Sequence, residues 1–181
     1  MSGPVLLVSG DFVQTGGMDV ANYALARYLL DQGREVHLVA HRVAPELAAH
    51  PGARAHRVPR PGRSYFAGAP LLDVAGRRWG RRTLARMGRV VVNGGNCAVA
   101  DVNWVHYVHA AFRPEGRFSA WRRLKVLASD AFYRAQEARR ISSARVVVAN
   151  SERTRTDVIE RLGVRPERVQ VVYYGTDPER F

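Results

Sequence analysis

Three places in this 181-residue sequence combine residue types that suit an anionic or hydroxyl-rich ligand. The first is Gly16-Gly17, which follows an apolar run, Val5-Leu6-Leu7-Val8, and a loop from Ser9 to Thr15. Beyond it, Val20, Tyr23, Ala24, Arg27 and Tyr28 fall at helical spacing. A helix N-terminus offers unpaired N–H groups and the positive end of its dipole, which suits a phosphate. Glycine removes the Cβ that would hold a ligand off the backbone. The spacing is neither G-x-G-x-x-G nor G-x-x-x-x-G-K-[ST], so an ordinary strand-to-helix turn and an anion site stand level on these residues alone. The second place is Asn93-Gly94-Gly95-Asn96, after the apolar run Val90-Val91-Val92. The third is Trp104-Val105-His106-Tyr107-Val108-His109, where His109 is nearer the carboxyl end of an expected strand over Val102–Val108. Ligands of open α/β sheets bind beyond the carboxyl ends of the strands, so Gly16, Gly17, Asn93 and His109 are expected along one edge. His106, His109 and Cys97 are zinc-ligand types, but a fourth ligand is lacking and strand alternation sends the two histidines to opposite faces. No metal site is expected.

Charge marks a different region. The chain has 28 Lys and Arg against 16 Asp and Glu, a net charge of +12. From Arg54 to Arg140 there are 18 basic and five acidic residues, so the whole excess sits in the middle of the chain. Arg78, Arg82, Arg86 and Arg89 share one face of a helix expected over Leu71–Met87, with Arg77 and Arg81 flanking it. Like charges at this spacing repel, which costs helix stability unless an anion or a carboxylate is close. Arg117, Arg122, Arg123 and Lys125 surround Phe118 and Trp121 at the start of a second helix, expected over Arg117–Arg140. Basic residues interleaved with aromatics suit an anionic membrane interface. Core aromatics edged by arginine stems fit the same residues equally well. A pI near 11.0 permits a nucleic-acid- or nucleotide-binding α/β module without catalysis, the competing class. No RNP, KH, zinc-finger or helix-turn-helix signature accompanies it, so nucleic acid is not the expected partner.

Positioning these groups requires alternating strands and helices. Strands are expected at Val5–Val8, Glu35–Ala40, Ala53–Val58, Val90–Val92, Val102–Val108, Ala144–Ala149 and Val169–Val172. Helices are expected between them, including a short one at Ala44–Ala49 and one from Glu152 to Leu162, with Ser151 as its N-cap and Gly163 as its stop. In the Arg117–Arg140 helix, Phe118, Trp121, Leu124, Ala128, Ala131, Ala135 and Ala138 form the expected apolar face. This order is that of a parallel α/β sheet. One cysteine builds no disulfide framework, and the first residues lack the basic flank and apolar stretch of a secretory signal, so a reducing cytoplasm is expected.

The end of the chain carries the most specific pattern. It combines Val146-Val147-Val148-Ala149-Asn150-Ser151-Glu152, a helix ending in Leu162-Gly163-Val164, and Arg168-Val169-Gln170-Val171-Val172-Tyr173-Tyr174-Gly175-Thr176-Asp177-Pro178-Glu179-Arg180-Phe181. Together these resemble the family-4 retaining glycosyltransferases of GT-B fold, where a strand and an N-S-x-x helix precede a strand and a G-x-D-x-x-x-F segment at the domain junction. The resemblance covers nearly the whole chain and is weakest from Ala44 to Met87.

The resemblance implies an α/β fold, a Rossmann-like three-layer sandwich with a mostly parallel sheet, the N-terminal half of a GT-B fold. Residues 1–174 would be the acceptor-binding domain and 175–181 the start of a linker to a C-terminal donor-binding domain beyond this chain. The implied reaction moves a hexosyl group from a UDP- or GDP-sugar to a glycan or lipid-linked acceptor with retained configuration, without cofactor or metal. By the same resemblance, Gly16 and Gly17 lie near the donor phosphates and the acceptor, and Asn93 and Ser151 are expected to join them in binding the donor phosphate or the acceptor. A histidine close to the transferred sugar is carried by His109, with His106 in reserve. The family's second domain supplies most donor contacts, including an E-x7-E motif, so this chain alone is expected to be inactive or nearly so. Arg78, Arg82, Arg86, Arg117, Trp121, Arg122, Arg123 and Lys125 would then meet an anionic membrane or acceptor. That places the protein in the cytoplasm, peripheral to the inner face of the plasma membrane, in bacterial-type cell-envelope or polysaccharide biosynthesis.

Overall fold

The computed structural model describes residues 3–111, 131 and 134–175. Strand β1 (Val5–Val8) is buried along its whole length because both of its faces are covered. Val5 and Leu7 pack with Ala26 and Leu30 of helix α1 (Gly17–Asp31), whereas Leu6 and Val8 pack with Leu72 of helix α3 (Tyr65–Ala85). A strand that is apolar at every position, rather than at alternate ones, is what the middle of a parallel sheet demands. β3 (Val36–Ala40), β5 (Ala53–Arg57), β6 (Arg89–Asn93), β7 (Val102–Val105), β8 (Val146–Ala149) and β9 (Val169–Val171) complete a seven-stranded sheet in the order β5-β3-β1-β6-β7-β8-β9. Every pairing is parallel. Helix α5 (Glu152–Leu162) and the helical residues 134–143, here α4, close a third cluster around Ile141, Val147 and Val158. Helices on both faces of the sheet make the expected three-layer Rossmann-like sandwich.

The chain winds outward from β1 in two directions, through β3 to β5 and through β6 to β9. A crevice opens where the direction reverses, beyond the carboxyl ends of β1 and β6.

Several elements depart from the expectation. Helix α3 begins at Tyr65, not Leu71, with Ser64 as N-cap accepting the Ala67 N–H at 3.4 Å. Gly68 is where α3 presses on His41: a Cβ there would stand 2.6 Å from the imidazole. The same helix ends at Ala85, and Met87, at a φ of 56°, turns the chain into Gly88. A Cβ on Gly88 would lie 2.3 Å from the Pro4 carbonyl oxygen, so the turn admits only glycine. Arg89 therefore belongs to β6 and not to the arginine stripe.

In α4 the buried residues are Glu137 and Ile141, while Ala131 and Ala135 are exposed. Of the expected apolar face, Ala138 packs on the Ile141 cluster, Ala131 and Ala135 do not, and Phe118, Trp121, Leu124 and Ala128 lie outside the described residues. β7 stops at Val105, three residues early. A small parallel pair, β2 (Asp11–Phe12) with β4 (Arg42–Val43), was not expected, and the short helix α2 (Pro45–Ala48) follows it.

Candidate active site at the sheet crevice

A cavity of about 450 Å³ occupies the crevice. Ser9 and Gly10 enter it from the end of β1, and Met18 and Asp19 from the first turn of α1. Asn93 ends β6 and Gly94 to Asn96 follow it, Tyr65, Ala69 and Leu72 belong to α3, and Gln136, Glu137 and Arg140 belong to α4. His106, Tyr107 and His109 come from the segment after β7.

The glycine pair stands beside the cavity and not in its wall. Gly16 is the N-cap of α1 at φ 81° and ψ 141°, and no side chain caps the helix. Gly17 is exposed, and a Cβ placed on it would meet nothing within 4 Å. The first turn of α1 therefore keeps its donor end open toward the rim. Asp19 lies in that turn, and burial, aided by the nearby Asp11, pushes its carboxyl above the usual range.

Buried amides hold the two glycine loops in register. Asn22, in α1, donates to Ser9 Oγ at 2.9 Å, and Asn93 donates to Asn22 Oδ1 at 3.0 Å. The predicted ligand contact Asn93 is thus both a cavity residue and a strut between α1 and β6. Asn103, fully buried on β7, donates to the Gly94 carbonyl at 2.9 Å, and Gly94 itself adopts a φ of 52°. Ser151 sits elsewhere on the same sheet edge: its Oγ accepts the Thr154 N–H at 3.1 Å as N-cap of α5, and it does not line the cavity.

Both histidines face the cavity, contrary to the alternation expected of them. The reason is the early end of β7: His106 lies just past the strand, and His109 opens a 3-10 turn, His109–Ala111. Their surroundings differ. His106 lies among Trp104 and Tyr174, with ring centroids 4.8 and 5.4 Å away. Neither of its ring nitrogens has a hydrogen-bond partner among the described residues, and burial lowers its pKa to about 4, so it is neutral at pH 7. His109 is held firmly. Its backbone N–H donates to Glu137 Oε2 at 2.8 Å, and its Nδ1 meets Glu137 Oε1 at 3.0 Å. The Tyr107 hydroxyl lies 3.3 Å from His109 Nε2.

A buried ionic brace ties α3, α4 and the second glycine loop. Asp73 accepts the Ala98 N–H at 3.0 Å through Oδ1, while its Oδ2 meets Arg77 at 3.1 Å and Arg140 at 3.3 Å. Arg140 also donates to the Gly95 carbonyl. Around the cavity's outer corner, the Tyr65 hydroxyl and Arg42 both donate to Asp11 Oδ2. Arg60 lies over the Tyr65 ring at 4.3 Å.

The arginine stripe is partly neutralised. Arg86 pairs with Glu35 through two contacts of 3.2 and 3.0 Å, and Arg82 lies over the Trp79 ring at 5.0 Å. Arg78 and Arg81 are exposed, next to the exposed apolar residues Leu71 and Val74. Arg117, Trp121, Arg122, Arg123 and Lys125 lie outside the described residues.

Glu137, Asp73, Arg140, Asn22 and Asn103 were not anticipated. Their signal is a polar residue inside an otherwise apolar period, and in sequence that is indistinguishable from a solvated position. Among the described residues no group of three or more His, Cys, Asp or Glu side chains is placed to hold a metal. Cys97 is buried behind the cavity, and burial pushes its thiol pKa up, away from reactivity.

The same architecture occurs in known proteins. WaaG, a glycosyltransferase involved in lipopolysaccharide biosynthesis, superposes with a TM-score of 0.73 at 16% identity, over 97% of this chain and 46% of its own. Sucrose-phosphate synthase from Thermosynechococcus elongatus superposes with a TM-score of 0.58 at 15% identity, over 99% of this chain and 50% of its own. The chain thus spans about half the length of these two proteins, and at such identities the likeness is one of fold. No curated protein sequence matches the chain significantly. The sequence model of Glycosyltransferase Family 4 matches residues 15–180, from the glycine loop to the end of the chain. The chain therefore belongs to glycosyltransferase family 4, and its fold is that of the N-terminal Rossmann-like domain of a GT-B enzyme.

Proposed function

We propose that this chain is the acceptor-side domain of a retaining glycosyltransferase that moves a hexosyl group from a UDP- or GDP-sugar to a glycan or lipid-linked acceptor. The observation that carries this reading is the cavity at the β1–β6 crevice, in a chain of this family, with an oriented His109 facing it. The open N-terminus of α1 at the rim is suited to the donor diphosphate, whose charge grows as the glycosidic bond breaks. The remaining donor contacts would come from a second domain to which residues 175–181 begin the linker, so that this chain alone is inactive or nearly so. The test uses two proteins, this chain and a form extended through the second domain, each given labelled UDP-glucose or GDP-mannose and a lipid extract. Transfer by the extended form only is expected. Equal transfer by the short chain would refute the two-domain reading.

We place the protein in the cytoplasm, held peripherally on an anionic inner leaflet, with a cell-envelope or polysaccharide acceptor. What supports this is the exposed face of α3, where Leu71 and Val74 share the helix surface with Arg78 and Arg81. Each near-surface Arg or Lys contributes about 1 kcal/mol to such binding. No helix among the described residues is long and apolar enough to cross a membrane. Co-sedimentation with anionic vesicles at low salt is expected, weakened by the double substitution Arg78→Glu and Arg81→Glu. Equal recovery on neutral and anionic vesicles would sink the membrane reading.

A further inference from the structure

Glu137 is a carboxylate that the sheet crevice has swallowed. It is 2% exposed, yet Ala135, two residues before it in the same helix, is in solvent. Both of its oxygens are spent on one residue: Oε2 accepts the backbone N–H of His109 at 2.8 Å, and Oε1 faces Nδ1 of the same residue at 3.0 Å. A carboxylate only accepts hydrogen bonds, so Nδ1 must carry a hydrogen. A neutral imidazole has one N–H, and once that is committed to Nδ1, Nε2 keeps its lone pair. Nε2 is the nitrogen next to Tyr107, whose hydroxyl stands 3.3 Å away. A hydroxyl at that spot is suitably placed to donate to it.

We propose that Glu137 is a positioning residue that fixes the polarity of His109, so that Nε2 stands at the cavity as the acceptor for the Tyr107 hydroxyl and orients that hydroxyl toward a bound substrate. The part of this that concerns substrate rests on the glycosyltransferase reading of the cavity; the part that concerns the ring does not. Two N–H donors converge on Glu137, so a glutamine there has one oxygen for two claims. The backbone N–H cannot change its role and takes that oxygen. The amide NH2 then faces Nδ1, which must become an acceptor, and the hydrogen moves to Nε2. Glu137→Gln thus reverses what His109 offers the cavity while leaving the volume of the residue almost unchanged.

The experiment is long-range proton–nitrogen NMR of the histidine rings in this chain, at a pH where His109 is neutral. Wild type is expected to show a protonated Nδ1 and a lone pair on Nε2, and Glu137→Gln the opposite tautomer. A wild-type ring protonated at Nε2 overturns the proposal without any variant. A Glu137→Gln ring that keeps its hydrogen on Nδ1 in a folded protein overturns it as well. In the two-domain enzyme, Glu137→Gln is expected to lower kcat/KM by about 10- to 100-fold, since the Tyr107 hydroxyl then meets an N–H it cannot donate to and loses its orientation. Glu137→Asp, which keeps two acceptor oxygens, should recover part of the loss. Unchanged turnover in the flipped variant would overturn the substrate half of the proposal. Absence of transfer by the wild-type enzyme would instead count against the function proposed above and leave the ring assignment to the NMR.

Discussion

Gly16 and Gly17 are adjacent, but their backbones ask different things of them. Gly16 holds φ 81°, a region that residues with a Cβ avoid, so Gly16→Ala should cost on the order of 1 kcal/mol or more through strain. Gly17 opens the helix and has empty space where a Cβ would go. Valine is a somewhat better helix former than glycine, so Gly17→Val should leave stability within about 0.5 kcal/mol of wild type. It should also abolish transfer in the two-domain enzyme, because the new methyls stand where a ligand approaches the free N–H groups. Urea unfolding and a transfer assay on the same variant check both halves, and normal turnover would take the glycine loop out of the mechanism. Asp73 makes a harder demand. Arg140 is 12% exposed at its side chain, and Asp73 is its one anionic partner among the described contacts. Asp73→Ala would strand Arg140, together with the Ala98 N–H, and breaking such a buried pair typically costs about 3–5 kcal/mol. A loss below about 1 kcal/mol in urea unfolding would show that the glycine loop is held by other means.

At the scale of elements, the parallel sheet was legible because its strands are apolar at successive positions, and only helices on both faces satisfy that pattern. The site was legible where a loop follows such a strand, as at Asn93 and His109. It was not legible where a helix buries a polar side chain. Periodicity assigned Ala131, Ala135 and Ala138 to one buried face; Ala138 does pack on the core, but Ala131 and Ala135 are exposed and Glu137 is buried, for a reason that lies 28 residues away at His109. Helix α3 shows the converse. Gly68, Leu72, Gly76 and Gly80 repeat every four residues, and this ridge lies on the sheet. A Cβ on Gly76 would come within 2.8 Å of Cys97 Sγ and 3.1 Å of a Val8 methyl, so the glycines set how closely α3 can approach. In sequence they weaken the helix signal, which is why its first turns were missed. Gly76→Val is expected to overpack this contact at a cost of about 1–3 kcal/mol and to lift α3 off the cavity floor at Leu72. A shift in the urea midpoint without a change in its slope would report that loss.

For the whole molecule, acid should act through two histidines before it reaches the carboxylates. His56 is stacked on Trp79 at 3.7 Å, and burial first, then the charges of His37 and Arg82, lower its pKa to about 4. His106 is lowered to about 4 by burial alone. Both groups recover a value near 6.5 in the unfolded chain. Between pH 6.5 and 4 the unfolded state therefore binds more protons than the folded one, and stability rises with pH. The full contribution of these residues is present above pH 6.5, is lost as pH falls toward 4, and changes no further below that. Asp11 and Glu35, held below their usual range, add a loss only in more acidic solution. Asp19, whose pKa is raised, works weakly the other way as it takes up its proton. Melting temperature should thus fall between pH 7 and 4.5, and the fall should shrink in the double variant His56→Phe, His106→Phe, whose rings can still stack on Trp79 and Tyr174. The slope is the readout, since the variant also gives up the 2.9 Å contact between His37 and His56 and so loses some stability at every pH. An unchanged slope would mean that both histidines are reached by protons in the folded state. For His106 that would open the cavity wall to water from the side of Trp104 and Tyr174.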